Sequence, residues 1–134
     1  MNDVSHNLDE LLNSAGTPVN GFFGEVQEAK QAAVLAFPNK PFCLVRHWRL
    51  IEVQVADAYN EALAIDGLSP VVLYASDVVL HSVGKRQPGD WVRTTFLRSL
   101  TKGFLFESVN TTYVLLGAGV RIKGSAEAVL AIGR

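Results

Sequence analysis

The chain has 134 residues, 49% of them hydrophobic and 19% charged, with 12 Lys and Arg against 13 Asp and Glu. That is the size of one domain, with enough apolar side chain to offset the entropy of ordering, which excludes a disordered chain. The uncharged run Ser108–Val120 is 13 residues long and broken by Asn, Thr and Gly, short of the ~20 apolar residues of a membrane helix. The acidic N-terminus MNDVSHNLDE lacks the apolar core of a secretory signal, so a cytoplasmic protein with no membrane partner is expected. Cys43 is the single cysteine, which excludes an internal disulfide and a cysteine-rich zinc site.

Residues 1–38 carry five acids against one base, and residues 39–134 carry eleven bases against eight acids. The acidic first part reads as helical. Val4, Leu8, Leu11 and Leu12 form one stripe, with Asp3 as the expected cap and Gly16 and Pro18 as the stop. A second helix is expected from about Glu25 to Phe37, with Val26, Ala29, Ala33 and Phe37 on its apolar face and Glu25 and Glu28 in the turn that favours anions.

Phe42–Val55 is rich in β-branched and aromatic residues. From Trp48 it alternates, with Ile51, Val53 and Val55 as its cleaner apolar face. Asp57 is the expected cap of a short helix ending at Ile65, with Tyr59, Ala62 and Leu63 inward and Asp66-Gly67 as its stop. From Pro70 the texture is β. Val71–Ala75 and Val78–His81 read as two strands or as one strand bent at Ser76-Asp77, and Gln87-Pro88-Gly89-Asp90 as a type II turn. Strands are expected over Trp91–Leu97, Phe104–Val109, Tyr113–Leu116 and Val120–Lys123, with Asn110 left-handed in a tight turn. Ser125 is the expected cap of a closing helix through about Ala131. The pattern predicts one α+β domain over residues 1–134. Its antiparallel sheet, spanning 42–124, curls into a small open barrel covered by N-terminal, middle and C-terminal helices.

Enzymatic signatures are absent. His6, His47 and His81 stand apart from one another, with no metal-ligand spacing, and no cofactor or metal is expected. Cys43 lies in the apolar run Phe42–Val45, which favours a buried thiol over an activated one. Leu116-Gly117-Ala118-Gly119 lacks the third glycine and the following helix of a phosphate loop and reads as a turn between strands. Asp77, His81 and Glu107 would suit an enzymatic or ligand-binding barrel only if one pocket gathered them. Arg46-His47-Trp48-Arg49 and Trp91-Val92-Arg93 combine the residue types enriched at interface hot spots. Arg46, Trp48, Arg49, Arg93, Arg98 and Lys102 are therefore the expected partner contacts. Lys85–Lys123 is basic and could face nucleic acid instead, although the pI near 6.3 weighs against it.

Arg49-Leu50-Ile51-Glu52-Val53, Pro88 to Thr95, Gly103 to Phe106, Asn110 to Gly117 and Ala128-Val129-Leu130 carry a resemblance. Together they make residues 45–132 similar to a domain-of-unknown-function family of small proteobacterial, prophage and phage proteins, with Thr95 standing where serine is the expected residue. The resemblance implies hairpin and register roles for Thr94, Thr95 and Tyr113 and no activity. Small motif-free proteins carried on phage DNA often occlude a host protein, a defence component among them. The reading is thus a non-enzymatic module that inhibits a host protein by surface contact. The alternatives are a nucleic-acid-binding regulator and a ligand-binding or enzymatic barrel.

Overall fold

The computed structural model describes residues 4–133, with side chains from residue 7 onward; Asp3, the expected cap, and the His6 side chain lie outside that description. In chain order the elements are α1 (Val4–Asn13), β1 (Thr17–Asn20), α2 (Val26–Ala36), β2 (Phe42–Gln54), α3 (Asp57–Ile65) and β3 (Val71–His81). They continue with β4 (Val92–Arg93), β5 (Ser99–Thr101), β6 (Leu105–Glu107), β7 (Thr112–Leu115), β8 (Ala118–Ser125) and α4 (Ala126–Leu130). The fold is α+β, with one curled sheet and four helices.

Strand β2 organises the sheet because both its edges are used along its length. One edge pairs antiparallel with β3. The other pairs parallel, first with β7 along Phe42–Val45 and then with β8 along Arg49–Gln54. The sheet is therefore mixed, where consecutive short strands suggested an antiparallel one. The chain returns to β2 from the far side through the β5–β6–β7 meander, and only a parallel approach lets β7 and β8 run on along one edge.

The change of partner from β7 to β8 coincides with a kink. His47 is left-handed at φ 54°, and Gly117, at the junction of β7 and β8, is left-handed at φ 71°. The left-handed residue reverses the alternation of β2, so Cys43, Val45, Trp48 and Leu50 all enter one core. Leu44 joins a second core under α2, and Ile51 and Val53 a third under α1 and α4. Strand β3 runs unbroken through Ser76-Asp77 and changes its buried face there in concert, with Val45 and Trp48 paired with Val78 and Ala75.

Trp48 fills the kink. It is 1% exposed and its Nε1 donates to Leu116 O at 3.0 Å. Its ring lies on Gly119, where a Cβ would stand 2.3 Å from the indole. Trp48 is thus a core residue and not the surface contact expected from its arginine neighbours.

Several local expectations meet their physical counterparts. Ser125 Oγ accepts from Ala128 N at 3.0 Å, capping α4. Gly89 at φ 91° and the Asp90 N to Gln87 O bond of 3.0 Å make the 87–90 turn. Other expectations fail. Ala56, not Asp57, precedes α3 as its cap, and of the inward residues expected there only Leu63 is buried. Asn110 is not left-handed; Lys102, at φ 56°, takes that role in the β5–β6 turn. Strands β1 and β5 went unforeseen because neither has an alternating apolar pattern.

Gly119→Ala should cost about 1–3 kcal/mol, because the indole has nowhere to retreat. Trp48→Ala should cost about 3–5 kcal/mol, an emptied core site. Urea unfolding of the two variants checks both values. Wild-type stability in either would show that the kink does not depend on this contact.

Candidate functional site

Beyond β4 the chain keeps company with β3 but loses its register. Thr94 N donates to Leu73 O at 2.9 Å, and Leu97 N donates to Val71 O at 2.8 Å. Three steps on this segment oppose two on β3, so Thr95 and Phe96 stand out as a bulge. The expected strand Trp91–Leu97 therefore shrinks to Val92–Arg93. Thr94 holds the bulge: its Oγ1 accepts from Leu73 N at 2.9 Å and donates to Thr95 O at 2.8 Å. A side-chain hydroxyl thus supplies what the broken ladder cannot.

The bulge forms one wall of an open cleft of about 640 Å3. The end of β2 with Val53, Val55 just beyond it, the start of α3 with Tyr59, and α4 with Val129 and Leu130 make the others. Tyr59 and Phe96 meet edge-on at 6.3 Å. At the mouth Tyr59 remains 50% and Leu130 56% exposed. Arg93 is the one charged residue of the lining. Its Nη1 donates to Val129 O at 2.9 Å, at the C-terminal end of α4, where a cation suits the helix dipole.

Arg49 does the same for α1. Its Nη1 donates to Leu11 O at 3.4 Å, and burial pulls its pKa down, partly opposed by Tyr74. Arg49, Tyr74 and Arg93 are successive cross-strand neighbours on β2, β3 and β4, so one row of the sheet serves both helix ends. A second hollow, of about 550 Å3, lies at the kink against His47, Arg49, Tyr74 and Ser76.

The six residues expected to contact a partner are thereby dispersed. Trp48 is core, and Arg49 and Arg93 are bound to helix ends. Arg46 is exposed at the kink, in register with Asp77. Arg98 and Lys102 are exposed on the β5–β6 hairpin. Only Arg93 lines the cleft. Nothing in the sequence singles out Tyr59, Phe96 and Leu130, because α3 reads as turning Tyr59 inward and the other two are isolated apolar residues with no motif around them. The Arg93-Thr94-Thr95 run was visible, but nothing in it announces a bulge.

The polar residues weighed for chemistry lie apart from this cleft. Cys43 is 0% exposed, and burial pushes its thiol up to about 12 against the opposing charge of Arg86. His81 has a pKa lowered by burial and then by Lys85 and Arg86, and its Nδ1 accepts from Val83 N at 3.3 Å. Glu107 is 9% exposed and binds Lys40 Nζ and Ser99 Oγ. Burial would raise its pKa, but the hydrogen bonds from Lys40 and Ser99 outweigh burial and hold it below the ordinary 4.5. Among the described residues no group of three His, Cys, Asp or Glu side chains could hold a metal ion, and no helix is long and apolar enough to cross a membrane.

The match to a family described as "Domain of unknown function (DUF6957)" runs over residues 20–131. The chain belongs to this family. The matched span takes in the kink, the bulge and every residue lining the cleft. No curated protein and no solved structure matches the chain.

Two measurements test the site's supports. Thr94→Val leaves Leu73 N–H buried without a partner and should cost about 1–3 kcal/mol, whereas Thr94→Ser keeps the acceptor and should cost less. Equal stabilities would remove the hydroxyl from the account of the bulge. Glu107 has a lowered pKa in the folded chain, so its contribution is complete above the ordinary carboxylate value and is lost as pH falls through the folded one. Glu107→Gln should therefore be less stable than wild type at pH 7, with the gap closing on acidification. A gap independent of pH would show that the ionised Lys40 pair is not its source.

Proposed function

We propose that this chain is a non-enzymatic protein-binding module, with the Tyr59–Phe96–Leu130 cleft at the centre of its contact surface. In this reading it is a phage- or mobile-element protein that works in the cytoplasm and occludes a host protein such as a defence component. One observation carries the binding part: the 640 Å3 cleft is walled mainly by apolar side chains, and Tyr59 and Leu130 stand half-exposed at its mouth. Apolar and aromatic side chains around a hollow, with a single arginine among them, match the composition of interface centres. The mobile-element part is supported by the resemblance to small prophage and proteobacterial proteins and by the habit of such proteins of acting through shape.

The cations at Arg46, Arg98 and Lys102 then belong to the rim, where charge steers approach more than it holds the complex. Arg93 sits inside the cleft and belongs to the contact itself.

The test is affinity capture from host lysate with the tagged chain, with and without nuclease, in wild type and in two sets of variants. Leu130→Glu and Tyr59→Ala should abolish recovery of the partner, while Arg46→Glu and Arg98→Glu should slow association and leave recovery in place. A partner lost on nuclease treatment would favour nucleic acid as the ligand. A partner lost only in the arginine variants would move the contact surface to the β5–β6 hairpin and the kink.

A further inference from the structure

We infer that the cleft receives the C-terminal end of a partner chain, an apolar last residue whose free carboxylate pairs with Arg93. The inference rests on the binding reading above and adds the chemistry of the occupant.

Charge complementarity comes first. Arg93 alone among the lining residues is charged, and among the described residues no carboxylate lies within salt-bridge reach of it. Its Nη1 is engaged by Val129 O, which fixes the orientation of the guanidinium and leaves further N–H donors of the fork available. A neutral occupant would bury the remaining donors of that guanidinium with only the Val129 O bond to compensate, and a cationic one would add repulsion. An occupant bearing one carboxylate converts the same burial into a charge-assisted, bidentate pair.

The walls decide the rest of the occupant. Val53, Val55, Phe96, Val129 and Leu130 offer no hydrogen-bonding side chains, the Thr94 hydroxyl is taken up by the bulge, and only Gln54, Tyr59 and Thr95 could serve a peptide group from the walls. A chain running through the cleft would bring peptide N–H and C=O groups on both sides of its anchor, and each buried without a partner is costly. A chain end halves that demand. It also places its carboxylate directly beside its last side chain, so one residue satisfies the apolar walls and Arg93 together. The volume agrees, since about 640 Å3 falls within the ~300–1,000 Å3 of sites that enclose a compact ligand.

The experiment measures binding to the full chain of the peptide Gly-Ser-Gly-Ser-Leu-Phe, labelled at its N-terminus, as the free acid and as the C-terminal amide. Anisotropy gives affinity, and backbone amide NMR shifts locate the site. The free acid should bind about tenfold or more tightly than the amide, the difference expected of a hydrogen-bonded charge. It should shift the signals of Thr95, Phe96 and Leu130. Arg93→Gln should remove the preference for the acid. Because Arg93 also holds α4, Leu130→Glu serves as the second variant: its carboxylate stands at an exposed position and should weaken the acid more than the amide.

Acid and amide bound equally, with shifts in the cleft, would overturn the carboxylate pairing and leave the docking reading standing. No cleft shifts from either peptide at millimolar concentration would overturn the inference, with the docking reading then resting on the capture experiment alone. Cleft shifts from decanoate but from neither peptide would assign the site to a small free acid and overturn the chain end.

Discussion

The indole of Trp48 is the contact on which the sheet depends. Strand β2 cannot keep one alternation and serve three cores, because a period of two commits each residue to one face. The left-handed residue at His47 resolves this by reversing the alternation, and the reversal opens a gap between β2 and the β7–β8 edge. Trp48 closes it. The ring covers Gly119, and Nε1 takes Leu116 O, a carbonyl at the junction of β7 and β8. Gly21 also approaches the indole, where its own N–H donates to Gly117 O and a Cβ would stand 2.3 Å from Leu115 O and 2.9 Å from the ring. The glycine at 119 is thus a space that the tryptophan occupies, the one at 21 a close approach to the Leu115 and Gly117 carbonyls, and the N-terminal strand β1 is fastened to the sheet at the same point.

A second constraint follows from the two short helices that cover the outer face. Helix α4 has five residues and α1 ten, lengths at which a helix gains most of its stability from packing and termini. Arg49 and Arg93 reach one to each C-terminal end from a single cross-strand row. The same arginines that suggest a binding surface in one dimension are therefore brackets in three. Arg93 does both, because its bracket lies in the wall of the cleft. The bulge at Thr94–Phe96 completes that wall. A regular strand there would keep Phe96 in alternation with its neighbours and leave no room beside Val72.

The α+β class, the helices, the long β2 strand and its partner β3 were legible in the sequence, because each rests on local signals: apolar period, a capping serine, Pro-Gly turns. The parallel pairing of β7 and β8 with β2 was not, since pairing direction depends on where the chain re-enters the sheet and leaves no local mark. The alternation read from Trp48 onward was right for its own half of the strand. It could not reveal that Leu44 lies on the same side as Ile51, because His47 carries no signal for left-handed backbone as strong as glycine's. The cleft was illegible for a related reason. Its walls come from four separated segments, and the register slip that shapes the third is set by one threonine hydroxyl accepting from Leu73 N.

The placement of Arg93 settles an apparent conflict in the electrostatics of the cleft. The C-terminal end of a helix is a poor neighbour for an anion, and α4 ends beside this hollow. Yet the dipole of a helix terminus contributes about 0.3–1 kcal/mol and less for so short a helix, while a hydrogen bond to a charged group contributes about 1.5–3 kcal/mol. The guanidinium also stands on the carbonyl that carries the negative end, so it neutralises the terminus before an anion arrives. What remains outward is the unused side of the fork, flanked by apolar walls that lower the local dielectric and strengthen any pair formed there. Removing Val129 O from the arrangement would free the arginine to wander. Keeping it makes the guanidinium a fixed donor, already oriented before a ligand binds, which lowers the entropy lost on binding.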